Sequence, residues 1–158
     1  MNDLVLARVL HVLGVLLWIG GVAMVTTVIL PAVRRFKSPE ERIELFERIE
    51  HRFAWQARFT TLLTGLTGFY LLYRLDAWPR FSLPGFWWLH AMVLVWVIFT
   101  LMLFVLEPLV LRRLFLAHAA RNPDRVFRLI QTMHWVLLVL SLVTFAGAVA
   151  GSHGWLWF

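Results

Sequence analysis

Four long apolar stretches alternate with short charged ones along this chain. The first covers about residues 4–30 and is interrupted only by Arg8 and His11. At about 1.5 Å per residue it is long enough to cross a hydrocarbon core of about 30 Å with some tilt. Pro31 and the cluster Arg34, Arg35 and Lys37 mark its exit. Ser38-Pro39-Glu40-Glu41 then reads as a helix start, with Ser38 as N-cap, Pro39 at the first helical position and Glu41 closing a capping box. The helix is expected to run unbroken to Tyr73 or Arg74. Its charged, amphipathic part lies outside lipid through Arg52, and a second span covers 53–73.

Residues 75–84 form a short connection containing Trp78, Pro79 and Phe81, a mix suited to a membrane interface. A third span is expected over 85–107, where Glu107-Pro108 kinks it or ends its lipid-facing part. Asn122-Pro123-Asp124 is another helix start, leading into a fourth span over 126–150 and a tail with Trp155 and Trp157. The pattern predicts an all-α fold: an integral membrane bundle of four transmembrane helices in antiparallel up-down order, one transmembrane domain over 1–158.

Composition agrees with that pattern. The chain is 61% hydrophobic and only 15% charged, whereas a soluble domain carries about 25% charged residues. Cysteine is absent, which excludes disulfides, thiolate metal sites and iron–sulfur clusters. The net charge of +6 would suit nucleic acid, but the basic residues gather at helix ends. There they act as topology signals and contacts to anionic lipid, so the expected partner is the bilayer and not nucleic acid. Met1-Asn2-Asp3 has no basic n-region, and no small-residue cleavage site follows, so the first stretch is expected to be a retained span. The first and third connections hold Arg34, Arg35, Lys37, Arg42, Arg48, Arg52, Arg112, Arg113, Arg121 and Arg125, against Arg8, Arg74 and Arg80 on the other side. Both termini should therefore face outward, which in a bacterial inner membrane means the periplasm.

Ionisable groups within lipid are costly and usually functional. His11 lies about two turns into the first span and His90 about one and a half turns into the third, so the imidazoles are expected at similar depth. Two histidines on different helices of a four-helix bundle can clamp a haem iron from both faces. Alternatively, each bonds a backbone carbonyl of a neighbouring helix. His118 and His153 read as solvated surface residues. Arg8, Arg74 and Arg80 can pair with haem propionates or anchor in headgroups. His134 and His51 form a second candidate pair at unequal depth, so one haem b or two are open. Arg58 and Glu107 can form an ion pair inside the bundle or take part in proton transfer. Gly14, Gly20, Gly21, Gly65 and Gly68 allow close helix approach or make room for a flat macrocycle. Thr60, Thr61, Thr64 and Thr67 follow one stripe of the second helix, and Trp18, Trp88 and Trp96 are placed to line a site.

His11, six residues, then Trp18-Ile19-Gly20-Gly21 resembles the first-helix signature shared by CopD-type copper-resistance membrane proteins and HemJ-type protoporphyrinogen oxidases. Pro31, the charged stretch ending in Glu50-His51-Arg52-Phe53, and the run from Leu63 to Gly68 are similar to that group's second helix; Trp88-Leu89-His90 is similar to the start of the HemJ third helix. The resemblance covers roughly 4–106 and becomes vague in the fourth span. It implies a four- or five-helix haem-b membrane protein with His11 as the haem-associated histidine. HemJ-type proteins carry a lysine two residues after the third-helix histidine; this chain has Met92, which supplies neither positive charge nor proton.

The leading expectation is a b-type cytochrome, a membrane oxidoreductase passing electrons between a quinol and a redox partner. Copper handling is an alternative, because Met24, Met92, Met102 and Met133 are soft ligands, although scattered ones. A HemJ-like oxidase and an accessory subunit of a respiratory complex, or a homo-oligomer, are the others.

Overall fold

The computed structural model describes residues 2–36, 38–111 and 122–155. Lys37, Arg112, Arg113 and Arg121 of the orientation argument, with His118 and Trp157, lie outside the described residues. Those described form helices and short connections, with no strand among them. In chain order these are α1 (Asn2–Met24), a π-helical segment (Val25–Ile29), α2 (Leu30–Phe36), α3 (Pro39–Arg74), two short 3-10 turns (Trp78–Ser82 and Pro84–Phe86), α4 (Trp87–Leu101), a second π-helical segment (Met102–Leu111) and α5 (Pro123–Ser152). Three helical stretches are long and apolar enough to cross a membrane: Asp3–Arg35, Pro84–Leu109 and Pro123–Ser152.

Local chemistry accounts for the helix starts. The Ser38 hydroxyl accepts from the Glu41 amide, and the Glu41 carboxylate accepts from the Ser38 amide at 3.1 Å, so each residue covers a donor the helix leaves open. Asn122 caps α5 by accepting from the Arg125 amide at 3.0 Å. Both starts lie at one end of the molecule, where Arg42 reaches Asp124 at 2.8 Å.

Two prolines lie within helical stretches. Pro31 does not end the first helical stretch, which continues to Phe36, and Glu107-Pro108 sits within a helix that continues to Leu111. Proline lacks an N–H and its ring collides with the carbonyl four residues back. Wider π-helical turns occur at both places. Around the second, Arg58 Nε donates to the Leu103 carbonyl at 3.0 Å. In a π-helix that carbonyl would accept from residue 108, whose nitrogen carries no hydrogen. Arg58 therefore supplies the missing donor from α3, and its guanidinium also pairs with Glu107.

Helix contacts follow a simple order. Along α1, Asp3 meets Arg74, His11 meets Thr64 and Thr67, Gly14 meets Thr64, and Gly21 meets Phe53 of α3. On α4 and beyond, Trp96 meets Gly65 and Leu103 meets Arg58. Partner numbers fall as α1 and α4 numbers rise. Toward the end carrying Arg42 and Asp124, the core is Val25, Leu30, Val33, Val126, Phe127 and Ile130; further up come Trp18, Val22, Val95, Phe99, Leu137 and Leu138.

The lower hydropathy of α3 has a directional cause. Thr60, Thr61 and Thr64 are buried, whereas Trp55, Phe59, Leu62, Leu66, Phe69 and Tyr73 are exposed. These exposed positions recur every three or four residues, one face of a helix. The outer face of α3 beyond Phe53 is thus apolar and its inner face polar, the reverse of a surface helix in water.

Candidate functional site

Above the Trp18 cluster, toward the end of the molecule that holds Asp3 and Ser152, the helices enclose a cavity of about 830 Å³. Sites for cofactor-sized ligands are of this order, about 300–1,000 Å³. Every helix from the four long stretches contributes. His11, Val15 and Trp18 come from α1, Thr64, Gly65 and Gly68 from α3, Trp88, Met92 and Trp96 from α4, and Ser141, Thr144 and Gly151 from α5. Arg8 and Arg80 stand at its rim, Arg80 with its guanidinium 5.4 Å from the centre of the Phe86 ring.

His11 is half-buried and held by α3. Its Nδ1 donates to the Thr64 carbonyl at 3.0 Å, which fixes the tautomer because a carbonyl only accepts. Thr67 gives its own hydroxyl proton to the Leu63 carbonyl at 2.6 Å and so also accepts from Nδ1, at 3.2 Å. The lone pair therefore resides on Nε2. An imidazole anchored through Nδ1–H to a carbonyl is the usual arrangement of a metal-ligating histidine. Gly68 keeps the space: a Cβ there would stand 3.0 Å from His11 Cε1.

Other wall groups are chemically unfinished. The indole N–H groups of Trp18 and Trp88 and the Thr64 hydroxyl are buried without a hydrogen-bond partner. An unpaired buried donor costs about 1–3 kcal/mol, so such groups call for an acceptor in the space they border. Trp96 is instead satisfied, donating to the Thr61 carbonyl at 3.0 Å, and Ser141 to that of Leu137 at 2.8 Å.

The remaining candidates fall elsewhere. His90 is exposed, packs edge-on against Phe81 with ring centroids 5.0 Å apart, and is not among the cavity residues. The structure therefore does not bring His90 to the cavity wall that His11 borders; depth along a helix says nothing about the face a residue occupies. Gly21 accommodates the Phe53 ring, which an added Cβ would strike, and does not line the cavity. Arg74 is bound to Asp3 at 2.9 Å, and Arg58 serves Leu103 and Glu107 at the other end. His51 is exposed, and His134 returns its Nδ1 proton to the Ile130 carbonyl at 2.8 Å, within its own helix. Among the described residues no group of three or more His, Cys, Asp or Glu side chains could hold a metal ion by itself.

Sequence reasoning missed Met92 as a wall residue, and Ser141 and Thr144 altogether. Ser141, Thr144, Ala148 and Gly151 recur at helical spacing as a face of small and hydroxylated residues, a pattern visible in the sequence. Comparisons with protein-family models, with curated proteins and with solved structures find no match for this chain.

Proposed function

We propose that this chain is a membrane-embedded b-type cytochrome carrying one haem in the cavity beside His11, and that it passes electrons between a membrane quinol and a redox protein. The observation that carries the reading is His11. Its Nδ1 is committed to Thr64, and its Nε2 is left for a ligand at the wall of a cofactor-sized cavity. A bound haem would supply a one-electron carrier.

The chain's own residues would do the rest. His11 would hold the iron and keep its ring orientation through Thr64 and Thr67. Arg8 and Arg80 at the rim would pair with carboxylates, and the Trp18 and Trp88 N–H groups would find acceptors. The apolar walls from Val15, Val95 and Phe145 would exclude water. His51 is exposed and His134 donates its Nδ1 proton within its own helix, which favours one haem over two. Copper handling lacks comparable support, since Met24 is exposed and, among the described methionines, Met92 alone borders the cavity.

The same reading treats α3 as a fourth span, its exposed aromatic and aliphatic face on lipid and its threonines turned inward. The bundle is then antiparallel and up-down. Its cavity opens near the outer surface of a bacterial inner membrane, and both termini are periplasmic, in keeping with the arginine distribution.

The test is a reduced-minus-oxidised spectrum with a pyridine haemochrome count on protein purified from haem-replete cells. One haem per chain is expected, lost in His11→Ala. A colourless protein, or full haem retention by His11→Ala with an unchanged spectrum, sinks the proposal.

A further inference from the structure

The wall opposite His11 carries Met92. Trp18 of α1 and Phe99 of α4 meet edge to face, with centroids 4.8 Å apart and planes at 88°, which fixes both the relative height and the facing sides of the two helices. The reversed order of their partners on α3 shows that α1 and α4 run the same way. His11 stands seven residues before Trp18, and Met92 stands seven residues before Phe99. Seven residues are about two turns, a rise of about 10.5 Å and a rotation only about 20° short of complete. His11 and Met92 are therefore at one height on facing sides, and both border the cavity. His90 stands nine residues before Phe99, about half a turn out of phase, which accounts for its exposure on the far side of α4.

We infer that Met92, and not His90, is the second residue that would hold the haem iron, adding a thioether to the imidazole of His11. This rests on the haem reading above. A methionine serving as packing filler closes space, whereas Met92 borders about 830 Å³ of it. A thioether is a soft donor that favours ferrous iron and raises the reduction potential relative to a second imidazole. Such a potential suits a carrier that accepts electrons readily from a quinol.

The proteins to compare are the wild type, Met92→Leu, Met92→His and His90→Ala, purified with haem. The ferric wild type is expected to show a far-red sulfur-to-iron charge-transfer band and a low-spin spectrum. Met92→Leu loses the band, turns high-spin and gains carbon monoxide binding in the ferrous form. Met92→His regains the low-spin spectrum without the band and shifts the potential downward. His90→Ala matches the wild type. A colourless wild type overturns the haem reading itself. Haem present without the charge-transfer band, a low-spin Met92→Leu, or a high-spin His90→Ala overturns the methionine assignment alone. If Met92→Leu does not accumulate, the wild-type band and the Met92→His potential decide.

Discussion

Arg58 is predicted to act as a substitute backbone donor, and a double-mutant cycle with Pro108 isolates that role. Arg58→Leu removes a hydrogen bond from a charged donor to the Leu103 carbonyl, worth about 1.5–3 kcal/mol, and leaves Glu107 without its cation. Breaking a fully buried pair costs about 3–5 kcal/mol. These side chains keep 29% and 25% of their exposure, so the total for Arg58→Leu should be about 3 kcal/mol. Pro108→Ala restores an N–H that can serve the same carbonyl. In that background Arg58→Leu should lose only the Glu107 contribution, which makes it cheaper by about 1.5–3 kcal/mol. Equilibrium unfolding in detergent, followed by helical circular dichroism, measures all four proteins. Additivity within about 0.5 kcal/mol would refute the reasoning, because it would mean that Arg58 and Pro108 do not share Leu103.

Gly20 and Gly21 offer a matched pair. A Cβ on Gly20 meets nothing within 4 Å, so Gly20→Ala should be neutral or stabilising by up to about 1 kcal/mol. Gly21→Ala forces the Phe53 ring aside and should cost about 1–3 kcal/mol, measured by the same unfolding assay. Gly68→Ala places a methyl 3.0 Å from His11 Cε1 and must displace the ring by a few tenths of an ångström, straining its bond to Thr64. Haem content should fall several-fold by haemochrome assay while helicity is kept; undiminished content would count against His11 as the ligand. Ser38→Ala removes the capping box and should destabilise the protein by about 1 kcal/mol, with no effect on haem content.

Much of the fold was legible because helices are local. The Ser38 capping box, the Asn122 cap and the unbroken run from Pro39 to Arg74 follow from neighbouring residues in sequence, and all are present. Three long apolar helices are likewise written in the hydropathy pattern. Pro31 reads, with the following arginines, as the exit of the first span; the helix itself runs on to Phe36, with a π-helical segment just before the proline. The Arg58–Glu107 pair is one of two readings of these residues in the sequence, with Glu107 placed nearer the interface than Arg58, and it forms because long side chains reach across such an offset.

Depth did not locate His90 relative to the cavity, which it does not line, and the reason is general to helical bundles. Counting residues from a membrane boundary gives height to within about a turn, but each residue also turns the side chain by about 100°. Height alone makes His90 and Met92 nearly equivalent partners for His11. Only a known contact between the two helices supplies the missing angle, and Trp18 against Phe99 is such a contact. Once it is in hand, phase can be carried up each helix by arithmetic, and a spacing of seven keeps the face where a spacing of nine reverses it. The anchor also explains why the cavity is where it is. Above the paired rings α3 and α5 bring small residues to the wall of this gap, where Gly65, Gly68 and Gly151 seat Trp96, His11 and Trp88. Filling that gap with ordinary apolar side chains would have satisfied packing alone. The chain instead borders it with one imidazole, one thioether and two indole N–H groups that lack partners, the features on which the haem proposal rests.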